Sequence, residues 1–168
     1  KAIATNSIGE TLDGIWLIQE YIKPADSTIT RVEIIGDKFL YAVKVVASDD
    51  FNLCPADSCQ VEAAFCPVGA EASKFTIQKD YSNDDLDKYR QFLKANDIGI
   101  GALEYAKDES GKRFVYDVNT NTNYNRKAEI SAGDKRRGMM SIARYLTSLL
   151  NRKRGVKPTK AVKSSKLL

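Results

Sequence analysis

Side chains two apart on a strand share a face, so in the segment RFVYDVN the carboxylate of Asp117 and the amide oxygen of Asn119 point the same way. A hairpin partner, GIGALEYA, precedes it across Lys107 to Lys112. If Ser110-Gly111 is a two-residue turn pairing Glu109 with Lys112, the register sets Glu104 opposite Asp117. A four-residue turn from Asp108 to Gly111 keeps Glu104 on that face, whereas a three-residue turn flips it away. Two carboxylates facing each other across strands repel unless a positive charge lies between them. Mg²⁺ or Mn²⁺ suits such a place, because it takes hard oxygen ligands, often one or two carboxylates plus phosphates, and needs neither His nor Cys. On periodicity alone the same residues also describe a solvated hairpin face whose acids meet Lys107 or Lys112.

Other chemistry is excluded by composition. The 168 residues contain no histidine, which removes His-activated nucleophiles, imidazole metal sites and His general bases. The three cysteines, Cys54, Cys59 and Cys66, are spaced C-x4-C-x6-C with no fourth ligand to complete a zinc tetrahedron, and their odd number fits reduced thiols better than a disulfide framework. Hydrophobic residues at 43% and charged residues at 29% describe a globular unit of one domain, and no apolar run reaches the length of a spanning helix. No secretory signal is visible in KAIATNSIGETLDG, which sets the expectation of a cytoplasmic protein.

The net charge of +4 belongs to the end of the chain, since residues 151 to 168 hold seven Lys or Arg and no acid. The remainder is slightly acidic, which argues against a nucleic-acid surface other than the tail itself.

The elements that would position the oxygen cluster follow from the pattern. IWLIQEYI, residues 15 to 22, is a short apolar run closed by Lys23-Pro24 and reads as a strand. TRVEII and FLYAVKVV alternate around Gly36-Asp37-Lys38 and read as a hairpin. Residues 47 to 74 read as a long loop. From Ser82 the apolar spacing of Leu86, Tyr89, Phe92 and Leu93 predicts a helix of about 14 residues ending before Gly99. After the second hairpin comes NTNYN, then a closing helix carrying Ile142, Tyr145, Leu146, Leu149 and Leu150 and starting near Gly138. The expected class is α+β, an antiparallel or mixed sheet with helices on one face. Residues 1 to 14 read as a remnant of a preceding subdomain or a linker, 15 to 150 as the folded subdomain and 151 to 168 as a disordered basic tail.

The series IWLIQEYI, TRVEIIGDKFLYAVKV, FNLCPADSC, IGALEYA and VYDVNTNTNYN resembles the ATP-grasp superfamily of carboxylate ligases, in the branch of the ligase that adds glutamate to ribosomal protein tails. The resemblance spans roughly Ile15 to Leu150 and implies the C-terminal ATP-grasp subdomain. It implies ATP and Mg²⁺ (or Mn²⁺) as cofactors. Gln19, Glu20, Tyr21 and Ile22 match the linker whose backbone receives adenine, and Asp26 a ribose-side acid. Arg31 and Lys44 match basic residues expected near the phosphates or the acyl-phosphate, and Asn52 lies in a substrate-side loop. Glu104, Asp117 and Asn119 match the family's metal ligands, with the two acids exchanged relative to the usual Asp followed by Glu-x-Asn. Asn121, Asn123 and Asn125 fall at the acceptor end, where Asn121 is the candidate substrate contact and turns account for others.

The partners implied are a carboxylate substrate, an amine acceptor of the amino acid or peptide kind, and an N-terminal ATP-grasp subdomain that would precede residue 1. A fragment of this kind is expected to be inactive alone. Two other readings compete: a non-catalytic ATP-grasp-like module that docks a protein or peptide, and a redox or metal module built on the cysteines.

Overall fold

The computed structural model describes residues 12–46, 75–78, 80–122, 124–133 and 137–155. Asn52, Asn123, the three cysteines and the end of the basic tail lie outside the described residues.

The first hairpin forms as its alternation predicts. β1 (Thr28–Ile35) and β2 (Lys38–Val46) are joined by Gly36-Asp37, and both turn residues adopt positive φ, 54° and 65°. That is the two-residue turn whose twist matches the strands it connects, and glycine at one of its positions removes half of the steric cost. β3 (Phe75–Gln78) pairs with β2; β4 (Ile100–Lys107) and β5 (Arg113–Asn119) form the second hairpin. Every ladder is antiparallel and the five strands run in the order β3-β2-β1-β4-β5. β1 is therefore the central strand, and seven of its eight residues are buried.

Alternation along β1 separates two apolar layers. Val32 and Ile34 face α1 (Leu86–Ala95), packing with its Tyr89 and Leu93 and with Leu103 and Tyr105 of β4. Ile29 and Ile35 face the opposite way, toward Tyr41, Val43 and Val45, Ala128 of α2 (Arg126–Ser131) and Ile142 and Tyr145 of α3 (Gly138–Lys153). The class is α+β with an antiparallel sheet, as expected. The helices are shared between the two faces instead of gathered on one, because each face of β1 carries buried apolar side chains, Ile29 and Ile35 on one and Val32 and Ile34 on the other, that must be covered.

Three boundaries differ from the sequence reading. Residues 15–22 form no strand: Ile15, Leu17 and Ile18 are exposed, and no ladder includes them. The run pairs with neither edge strand of the sheet, β3 or β5, and beyond it the Ala25 amide donates to the Lys107 carbonyl at 2.9 Å. α1 starts four residues later than expected because the Asn83 side chain accepts from the Asp85 amide at 2.8 Å and makes a turn of the preceding segment. α3 runs to Lys153, into the stretch read as tail. α2 was not anticipated; Asn125 caps it, its side chain accepting from the Ala128 amide at 2.9 Å.

Candidate functional site

β1 contributes Arg31 and Glu33, two apart and so on one face, the face that α2 and α3 share. The β1–β4 register places Glu104 directly beside Arg31. All three are deeply buried, with exposures of 6%, 2% and 1%. Arg31 Nε lies 2.9 Å from Glu33 Oε1 and 3.8 Å from Glu104 Oε1, while the Tyr116 hydroxyl donates to Glu104 Oε2 at 3.1 Å.

Opposite Glu104 stands Asp117, the pairing the sequence suggested, but it arises by a different route. The Asp108 amide donates to the Lys112 carbonyl and the Gly111 amide to the Asp108 carbonyl, so Glu109, Ser110 and Gly111 form a three-residue loop, with Gly111 at φ 84°. Such a loop alone would turn Glu104 away from Asp117. A β-bulge restores the phase: Tyr105 pairs with Val115 and Glu104 with Asp117, leaving Tyr116 as the extra residue. The bulge also brings the Tyr116 ring onto the Glu104 face, where its hydroxyl meets the carboxylate.

The electrostatics follow from burial. Loss of water pushes the Glu33 carboxyl up to about 7 even though Arg31 pulls it down. Desolvation likewise raises Glu104, against the pull of Arg31 and the Tyr116 hydroxyl, and Asp117 adds to the rise. Burial and the charge of Glu104 push the Tyr116 phenol up, so it remains a donor.

Several polar atoms of this cluster have no well-formed hydrogen bond: Arg31 Nε and Nη2 and Glu104 Oε1 among them, while the Thr122 hydroxyl stands close to the Glu33 carboxyl and the Tyr124 hydroxyl without the alignment of a full bond to either. Arg31 Nε sits close to Glu33 without the alignment of a hydrogen bond. Each such group costs about 1–3 kcal/mol when buried unmade, and native proteins hold few of them. These atoms concentrate on β1, β4 and the loop after β5.

The other anticipated residues divide. Asn119 lies in register with Ala102, and its side-chain oxygen accepts from the Asn121 amide at 2.9 Å, so both asparagines build the turn that leaves β5. Lys44 pairs with Thr30, one residue out of phase with Arg31, and so occupies the opposite face of the sheet. There its ammonium lies 2.6 Å from Asp26. Partial burial works against the Asp26 carboxylate, but hydrogen bonds from Lys44 and Thr28 hold it below the usual range. Strand alternation therefore sets Arg31 and Lys44 on opposite faces of the sheet. Of the linker residues, Gln19 reaches the site, its amide 3.5 Å from the carbonyl of the bulged Tyr116; Glu20 is exposed, and Tyr21 and Ile22 line a shallow depression with Asp108 and Ser110. Glu33, Tyr116, Thr122 and Tyr124 were missed. The Arg-x-Glu spacing of Arg31 and Glu33 was a readable signal for the first.

The donor set suits Mg²⁺ in kind: Glu104, Asp117 and Asn119 offer hard oxygens, and Glu104 Oε1 is buried with its hydrogen-bonding capacity unmade. Among the described residues no three Cys, Asp or Glu side chains gather as a metal-holding group, so a cation here would draw its remaining ligands from phosphate or water. Arg31 already offsets part of the carboxylate charge.

No protein-family profile and no curated protein matches the chain. The solved structures it resembles include ATP-grasp ligases. The ATP-grasp ligase PsnB complexed with minimal precursor is 18% identical, at a TM-score of 0.49 over 77% of this chain and 37% of that one. A RiPP-associated ATP-grasp ligase of Chryseobacterium gregarium, in complex with ADP and a leader and core peptide, is 13% identical, at 0.47 over 76% and 35%. The macrocyclase MdnC of Microcystis aeruginosa MRC, bound with precursor peptide MdnA, is 9% identical, at 0.44 over 74% and 34%. This chain spans about a third of the length of each.

Proposed function

We propose that this chain is the C-terminal portion of an ATP-dependent carboxylate-amine ligase. The observation that carries the reading is the buried Arg31, Glu33 and Glu104 cluster, with its unmade hydrogen bonds, set beside Asp117 and Asn119 in the sequence context that resembles the ATP-grasp motif. In the proposed reaction a carboxylate oxygen of the substrate attacks the terminal phosphorus of ATP and ADP leaves; an amine then attacks the acyl-phosphate carbon, and phosphate leaves as the amide forms. Mg²⁺ held by Glu104, Asp117 and Asn119 would neutralise phosphate charge.

The chain's own contribution is positional. Arg31, held by two carboxylates, presents its remaining guanidinium donors to an anionic oxygen. Tyr116 fixes the orientation of Glu104 through its hydroxyl. Gln19, touching the bulge, would bring the nucleotide-side segment to the metal side. Lys44 and Asp26, on the other face, are assigned no step with Arg31. Asn52 and Asn121 are proposed on the acceptor side, with an amino acid or peptide as the amine donor. The adenine-side role of Glu20, Tyr21 and Ile22 is proposed with the rest, as is the need for a complementary subdomain to complete the nucleotide cleft.

Calorimetric titration with Mg²⁺-ATP tests the reading. Binding by the chain that is lost in Glu104→Gln combined with Asp117→Asn supports it; binding that survives both substitutions overturns the metal assignment. A second reading, a non-catalytic docking module, draws on the Arg31 to Glu104 pair, because a guanidinium already offsets the charge a metal would meet. It predicts that Mg²⁺ changes neither stability nor binding.

A further inference from the structure

On the α3 side of the sheet, the end of the β1–β2 hairpin and α3 enclose a groove of about 520 Å³. Tyr145 anchors α3 there, its ring packed so closely over Gly36 and Gly99 that a Cβ at either position would overlap it. The groove has an apolar floor, including Leu40 and the Tyr145 ring, and a rim of Lys38, Arg144 and Arg152 with the Ser148 hydroxyl between the arginines. No Asp or Glu lines it, and none of the three cations forms an ion pair among the described residues. The groove shares no residue with the Arg31 and Glu104 site.

We infer that this groove binds an extended acidic peptide segment. Arg144, Ser148 and Arg152 follow one another at i, i+4 and i+8 on α3, which sets the Cα atoms of the two arginines about 12 Å apart along the helix axis. Carboxylates four residues apart on an extended chain are separated by about 13 Å, so such a segment meets both arginines with the residues between them lying over the apolar floor. A compact anion, by contrast, reaches one guanidinium at a time. Arginine's planar fork suits carboxylate pairing in both places. Lys38, across the groove on the hairpin, adds a third positive charge on the opposite wall.

The test is fluorescence anisotropy with a fluorescein-labelled nonapeptide of Ser, Thr and Val carrying two glutamates four residues apart. Binding is expected to weaken roughly tenfold, ~1.4 kcal/mol, on Arg144→Glu and again on Arg152→Glu, and to fall with added salt. These side chains are exposed, and circular dichroism checks that the variants keep the fold. Replacing Lys157, Lys160, Lys163 and Lys166 by Gln should leave the affinity unchanged, and moving the glutamates to adjacent positions should weaken it. The inference is overturned if the tail substitutions abolish binding, if Arg144→Glu leaves it intact, or if the adjacent-glutamate peptide or pyrophosphate binds as well. Displacement of the peptide by an equal concentration of a single-stranded oligonucleotide would make nucleic acid the occupant, and would overturn it too.

Discussion

Arg31 supplies the positive charge for two buried carboxylates, so its removal strands both. Arg31→Met is expected to cost about 3–5 kcal/mol at pH 8, read from urea midpoints, and much less at pH 4, where the acids can be neutral. Glu33 gives a sharper pH signature. Its carboxyl titrates near 7 in the folded chain against 4.5 as its ordinary value. Between those values the folded state keeps a proton that the unfolded state has lost, so the stability it contributes is full below pH 4.5 and drains away as the pH rises through 7. Glu33→Gln has no such proton to lose. Its stability relative to the parent should therefore climb over that window, by ~1.4 kcal/mol per pH unit at most, in denaturation curves taken from pH 4 to 8. If the difference stays flat with pH, Glu33 is not held protonated. At this scale the sequence was informative about Arg31, Glu104 and Asp117, whose types and strand phase could be read. It was silent on Lys44's separation from Arg31 only until alternation was counted across the hairpin, and on Tyr116, Thr122 and Tyr124, whose hydroxyls enter the site through a bulge and a loop that no periodicity announces.

Among the elements, the short helix α2 does more than its six residues suggest. Its buried Glu129 accepts from the Tyr41 hydroxyl at 2.8 Å and from the Gly138 amide at 2.7 Å, tying β2 to the start of α3. Glu129→Ala leaves two buried donors unmade and should lower stability by about 2–3 kcal/mol in thermal melts. Gly138 matters for space: a Cβ there would fall within the Tyr124 ring, so Gly138→Ala should cost about 1–3 kcal/mol and disturb the loop that carries the Tyr124 hydroxyl into the site. A melt unchanged from the parent would mean that Tyr124 can move aside at no cost. Both hairpins and both long helices were legible from period and turn chemistry. The register of β4 against β5 came out right because two departures cancelled, a three-residue loop and a one-residue bulge. Segment 15–22 was misread because an apolar run does not reveal whether any strand edge will accept it.

At the scale of the molecule, the described residues include an exposed apolar stretch from Ile15 to Ile18. It contains the chain's single tryptophan, Trp16, which is 53% exposed. The indole emission of the folded chain should accordingly resemble that of an indole in water and change little on unfolding. A complementary subdomain that covers this stretch would shift the emission to the blue, and the shift would report assembly directly. Among the described residues no helix is long and apolar enough to cross a membrane.

The position of β1 in the sheet also orders events in time. Its pairing with β2 closes a two-residue turn, whereas its pairing with β4 must bring together residues separated by more than sixty positions, across the whole of β2, β3 and α1. Chain closure over that distance is slow and is compensated only once the ladder forms. The first hairpin should thus be native-like in the folding transition state, with Val43→Ala slowing refolding, while Val118→Ala on β5 should mainly hasten unfolding. Until β4 arrives, Arg31 has Glu33 as its one acidic neighbour on the strand, and the proposed catalytic face is completed at the end of folding.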